Sequence, residues 1–223
     1  MKPVSASTHP PSSIPPVYAA RTEREARLPH PCPRLEASLV WLSQGSRRGF
    51  EYVKRGESLG LRLLVLGVAP MTLLFESDEK LSVVRKSAHA LNMRDKVTFT
   101  RDSLEVLTQK CGSEFDAVLA HYVFDEVFPD EVHRMFENFR SLCAQKGKVL
   151  LTLQRSQRRS ELVNAGATEI DDGFFEMKDG ALAWDVATTA FLTICQRYFS
   201  VFSHFEVTDS PSFSGRIFLL THK

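Results

Sequence analysis

The chain has 223 residues, 43% hydrophobic and 25% charged, with 28 Lys and Arg against 27 Asp and Glu for a net charge of +1. That balance excludes a wholly disordered chain and a surface devoted entirely to nucleic acid, and the length suits one domain with an appendage. Cys32, Cys111, Cys143 and Cys195 form no CxxC pair, which argues against a zinc site or disulfide framework and for an intracellular, reducing compartment, cytoplasmic or nuclear.

Eight of the eleven prolines lie in residues 1–33, and the first glycine is Gly45. Residues 1–34 are expected to form a disordered, proline-rich arm ahead of a domain spanning 35–223. The arm lacks the apolar core of a secretory signal; its scattered arginines leave a mitochondrial presequence open. The longest uncharged apolar run, Leu63–Phe75, is too short to span a membrane.

Strands and helices alternate after the arm. Phe50–Val53 reads as a weak first strand and Met71–Glu76 as a second. Leu81, Val84, Ala88 and Leu91 give Glu79–Leu91 a helical spacing. Lys96–Thr100 is a short strand, Ser103–Gln109 a helix and Phe115–Ala120 a buried strand. Val132, Met135, Phe136, Phe139 and Leu142 share one face of a helix over Glu131–Cys143. Lys148–Leu153 is a strand. Phe174–Met177 and Ala181–Trp184 flank a turn at Lys178–Gly180 and read as a hairpin. Ala187–Tyr198 is a helix, and Val201–Val207 and Arg216–Thr221 are closing strands. The expected class is α/β: a doubly wound, mostly parallel sheet with an antiparallel C-terminal edge.

The most apolar stretch, Leu61–Val68, admits two readings. As a strand it could only form an antiparallel hairpin with Met71–Glu76, because a parallel crossover needs about a dozen residues. As a helix over Leu59–Val68, stopped by Gly67 and Pro70, it leaves Phe50–Val53 as the first strand. The helix reading is preferred.

With those parts the sequence resembles the class I, seven-strand S-adenosylmethionine-dependent methyltransferases. Gly56, Glu57, Ser58 and Gly60 fall in the family's GxGxG turn, with Ser58 in place of its middle glycine. Glu76 and Ser77 close the second strand, and Asp102 and Ser103 sit where the family has its adenine-side residues. The resemblance implies S-adenosyl-L-methionine as cofactor. The turn and helix start would hold its methionine carboxylate, Glu76 its ribose hydroxyls, Asp102 and Ser103 its adenine. Plainer readings stay open: Gly56 and Gly60 as turn glycines, Glu76 as part of a capping cluster, Asp102 as the cap of Ser103–Gln109.

Lys54 or Arg55 stands where the family has an acidic residue that orients the turn. A cation there would repel the cofactor's ammonium and sulfonium groups. The resemblance therefore implies either methyl transfer to a protein or other macromolecule, or an inactive domain serving as a binding or assembly subunit. The fourth strand ends in His121 and Tyr122, the candidate catalytic pair; His121 could take an acceptor proton or merely pack. Ala120–Phe124, Lys148–Arg155 and Trp41 loosely resemble the branch containing protein-lysine methyltransferases. Arg155, Arg158 and Arg159 form a basic run that could touch RNA, or an ordinary solvated loop.

Overall fold

A computed structural model describes residues 32–54, 58–155, 159–171, 173–180, 182–210 and 213–223. The expected arm lies outside the described residues up to residue 31. Helix α1, Pro33–Ser43, starts with the Cys32 sulfur accepting the Leu35 N–H. There follow β1 (Gly49–Val53), α2 (Gly60–Val65), β2 (Met71–Phe75), α3 (Asp78–Ala90), β3 (Val97–Thr100), α4 (Leu104–Cys111) and β4 (Phe115–His121). Beyond them lie α5 (Pro129–Leu142), β5 (Cys143–Gln154), α6 (Arg159–Asn164), β6 (Thr168–Asp171), β7 (Phe174–Glu176) and β8 (Leu182–Trp184). Helix α7 (Thr188–Tyr198) and strands β9 (Phe199–Ser210) and β10 (Phe213–His222) complete the chain.

Seven strands form one sheet in the order β3-β2-β1-β4-β5-β10-β9. The pairs among β1 to β5 are parallel. Strand β10 runs antiparallel to both β5 and β9. Phe115–His121 is thus central, flanked by β1 and β5, and the expected α/β class and antiparallel edge are both present.

Helices cover both faces, so the strands need apolar residues on both sides and read as continuous runs. One core joins Leu35, Leu39 and Leu42 of α1, Leu61, Leu63, Leu64 and Val65 of α2, and Leu81, Val84 and Ala88 of α3 to Val53, Leu73, Phe75 and Leu119. The opposite core joins α4, α5 and α7 to Phe50, Leu74, Val118 and Leu151 through Phe136, Phe139 and Phe191. Helix α2 confirms the helix reading of the Leu-rich stretch. It is shorter than expected because Gly67 adopts φ +99°, a left-handed stop that an L side chain resists. The preceding crossover lets β1 pair parallel to β2, from Gly49 with Met71 to Val53 with Phe75.

The expected hairpin is present as β7 and β8, and β6 adds a third antiparallel strand to this small separate sheet. Buried Arg216 of β10 ties that insertion to the main sheet, donating to the carbonyls of Gln154 and Val186. No helix among the described residues is long and apolar enough to cross a membrane.

Candidate functional site

The sheet's order reverses between β1 and β4, and ligands in open parallel sheets bind beyond the carboxyl ends of strands at such a point. There, the ends of β1, β2 and β3 and the first turns of α4 and α5 border a cleft of about 440 Å³. Tyr52, Lys54, Glu76, Arg101, Asp102 and Ser103 line it.

The turn between β1 and α2 is organised by a residue the sequence reading missed. Glu51 in β1 is fully buried, and its carboxylate gathers the whole turn into α2. It accepts the Leu59 N–H at 3.0 Å, the Gly60 N–H at 2.9 Å and the Ser58 hydroxyl. The task expected of an acid beside the glycines therefore falls to Glu51, and Lys54 does not replace it. Gly60 is glycine for packing. A Cβ there would lie 2.7 Å from Glu51 Oε2 and 2.9 Å from the Leu73 and Met71 side chains. Gly56 and Glu57 lie outside the described residues.

Burial pushes the Glu51 carboxyl up to about 7, against the opposing pull of its bonds from Ser58, Gly60 and Leu59. The folded protein then keeps a proton that the unfolded chain releases near its ordinary value of 4.5. The folded state binds more protons between these values, so this stabilisation is complete below about pH 4.5, declines as pH rises to 7, and is flat above. The melting temperature should fall across that window, and Glu51→Gln should remove this part of the slope. Identical slopes in the two proteins would show that Glu51 does not titrate with folding.

Glu76 follows β2 and faces the cleft. Its Oε1 accepts the Tyr52 hydroxyl at 2.6 Å and the Lys54 ammonium at 2.7 Å. Partial burial works to raise its pKa, but the bonds from Lys54 and Tyr52 and the charges of Lys54 and Lys80 hold it below the ordinary carboxylate value. It is an anion at neutral pH with a resident counter-ion. Burial and the bond to Glu76 push the Tyr52 phenol upward, so Tyr52 stays a neutral donor. Ser77 caps α3, its side chain accepting the Lys80 N–H, while Arg101 spans the Asp78 carboxylate at 2.6 Å and the Glu76 carbonyl.

The far rim is Asp102 and Ser103. The plainer reading left open for Asp102, as cap of the next helix, does not hold: Ser103 caps α4, with its Oγ accepting the Val106 N–H at 3.2 Å. Asp102 is freed from the backbone and pairs with Lys110 at 2.8 Å. Lys110 holds its carboxyl below the ordinary value.

At the end of β4, His121 Nδ1 lies 2.8 Å from Thr152 Oγ1, and Tyr122 donates its N–H to Thr152. Tyr122 takes φ +58°, uncommon for a bulky residue and costly unless its surroundings enforce it. The enforcement is visible: its ring stacks on Phe213 at 5.7 Å and 17°, and meets the tilted His121 ring at 4.1 Å. Behind it, buried Asp125 accepts the Gln154 N–H. The structure thus places Ser58, Gly60, Glu76, Ser77, Asp102 and Ser103 around one end of the sheet, with His121 and Tyr122 one strand further on. Lys54 joins them as a partner of Glu76, and Tyr52, Arg101 and Thr152 join them unforeseen. No group of three His, Cys, Asp or Glu among the described residues could hold a metal ion.

No family model matches the sequence, and no curated protein matches it. Solved structures match the fold. The PH0226 protein from Pyrococcus horikoshii OT3 aligns with a TM-score of 0.66 at 14% identity, over 92% of this chain and 91% of that one. A SAM-dependent methyltransferase from Methanosarcina mazei aligns with a TM-score of 0.66 at 12% identity, over 87% and 99%. The 1,6-didemethyltoxoflavin-N1-methyltransferase of Burkholderia thailandensis, with bound 1,6-didemethyltoxoflavin and S-adenosylhomocysteine, gives 0.62 at 12% identity, over 99% and 93%. The chain shares the Rossmann-like fold of these structures, two of which are methyltransferases.

Proposed function

We propose that the domain binds S-adenosylmethionine in the cleft and directs its methyl group to a protein or other macromolecular acceptor at the His121–Tyr122 end of β4. One observation carries this reading: an ionised Glu76 at the carboxyl end of β2, facing the cleft with Asp102 and Ser103 on the next rim. The residues suit the group. A strand-end carboxylate accepts paired ribose hydroxyls, and Asp102 with the Ser103 N–H suits the edge of an adenine. When bound, this cofactor supplies an electrophilic methyl group on a sulfonium. The chain's own part is alignment and exclusion of water, which stacked Tyr122 and Phe213 serve, while His121 receives the acceptor's proton.

A protein acceptor is supported by the resemblance of the β4 and β5 ends to the protein-lysine branch. It is also supported by Phe128, 46% exposed and packed on Phe174 of the small sheet. Of the basic run, Arg159 is already bound to Glu169 and Arg158 lies outside the described residues, so RNA has less support.

One observation favours an inactive binding subunit instead. Lys54 occupies the carboxylate that ribose would need, and its charge opposes a sulfonium. Calorimetric titration of the wild type and Lys54→Asp separates the two readings. Methyl transfer predicts that the wild type binds S-adenosylmethionine at submillimolar concentration, and binds the uncharged-sulfur product S-adenosylhomocysteine more tightly. The inactive reading predicts binding by Lys54→Asp alone. Binding by neither protein removes the cofactor assignment.

A further inference from the structure

A second groove, of about 590 Å³, opens beside β3, the last strand of the parallel side. It lies toward the amino end of that strand, whereas the cofactor cleft lies beyond its carboxyl end. Val97 and Phe99, two apart in β3, form an apolar floor on the α3 face. Arg85 and Lys86 of α3 and Arg94 of the turn before β3 form an exposed rim. The Arg85 guanidinium sits 5.3 Å from the centre of the Phe99 ring. Among the described residues none of these three cations forms an ion pair. Asp95 is the single carboxylate lining the groove. A positive potential is therefore left over, next to a strand that pairs only with β2 among the described residues and whose Thr98 is exposed.

We propose that this groove binds an extended acidic segment of a partner protein, added as a further strand along β3. An unpaired edge presents alternating N–H and C=O groups that another backbone can match, and side chains at alternate positions then supply specificity. Every second side chain of the added strand points to the α3 face, where carboxylates meet Arg85, Lys86 and Arg94. A second copy of this chain would bring the same positive rim and be repelled. A nucleic acid would not use the strand edge, and a base stacking on Phe99 would have to compete with the Arg85 guanidinium already over that ring. The inference is independent of methyl transfer.

The test is fluorescence anisotropy with a short labelled peptide carrying glutamate at every second position, separated by threonine and valine. The intact chain should bind it, more weakly as salt rises. The double variant Lys86→Glu/Arg94→Glu, both exposed positions, should bind at least tenfold less tightly while its circular dichroism is unchanged. A peptide of equal charge interrupted by prolines, which cannot extend the sheet, should also lose at least tenfold. No binding by the wild type at millimolar protein would overturn the proposal, as would equal binding by the double variant. Equal affinity for the proline peptide would overturn strand addition. A single-stranded oligonucleotide that binds the wild type more tightly than the peptide, and is lost in the double variant, would assign the groove to nucleic acid instead.

Discussion

Glu76→Ala is expected to weaken S-adenosylmethionine binding at least tenfold, a loss of about 1.4 kcal/mol or more. Two hydrogen bonds from ribose to a carboxylate are each worth roughly 1.5–3 kcal/mol net. Part of that gain is offset in the wild type, because the cofactor must displace bonds that Glu76 already receives from Tyr52 and Lys54. The net effect is therefore smaller than the sum of the two new bonds. Lys54→Met, which removes the competing cation and keeps its length, should move affinity the opposite way. Calorimetry on the two variants reads both changes. Equal affinity in the wild type and Glu76→Ala would mean that the carboxylate does not touch the ligand.

Phe136→Ala is expected to cost about 3–5 kcal/mol of stability, the range for truncating a buried aromatic side chain. Phe136 is wholly buried where α5 meets α7 and the 3-10 turn after β4. Its ring stacks on Phe124 at 4.7 Å and on Tyr198 at 5.4 Å, and leans on Phe191 at 5.7 Å. Three aromatic rings cannot collapse easily into the space left, so both the lost burial and the cavity count. Set against a total stability of roughly 5–15 kcal/mol, this is the largest single-site effect foreseen here. Urea unfolding followed by circular dichroism should show a lower midpoint with the slope unchanged. A loss below about 1 kcal/mol would mean that α5 is not seated on the sheet by this ring.

Much of this architecture could be read from chain lengths and stop signals. The weak strand Phe50–Val53 was identifiable because the stronger apolar run could not make a parallel crossover in the few residues before Met71. Gly67 then ended the helix where its backbone turns left-handed. Helix α1 was also legible, in the spacing of Leu35, Leu39 and Leu42, but the adjacent proline-rich segment masked it. The third strand of the small sheet had its own signal in the Asp–Gly pair before Phe174, with Gly173 at φ +72°.

The site was harder to read for a physical reason. Glu51 is one charge in a five-residue strand, and its partners lie seven to nine residues later, across a turn of no regular period. Nothing local distinguishes it from a solvent-facing residue. Asp102 and Ser103 are both good capping types, and only backbone geometry assigns the cap to Ser103. Glu76 was legible as a strand-end carboxylate. Its clasp by Tyr52 and Lys54 was not, because strand pairing brings those residues alongside it.

The central claim, that the cleft beyond β1, β2 and β3 is a nucleoside-binding site, is tested most directly by a crystal structure of the chain grown with millimolar S-adenosylhomocysteine. The expected result is the ribose hydroxyls within hydrogen-bond distance of Glu76, the adenine edge toward Asp102 and Ser103, and the Lys54 ammonium moved off the carboxylate. A ligand bound elsewhere, or an empty cleft with Lys54 still paired to Glu76, would contradict the account.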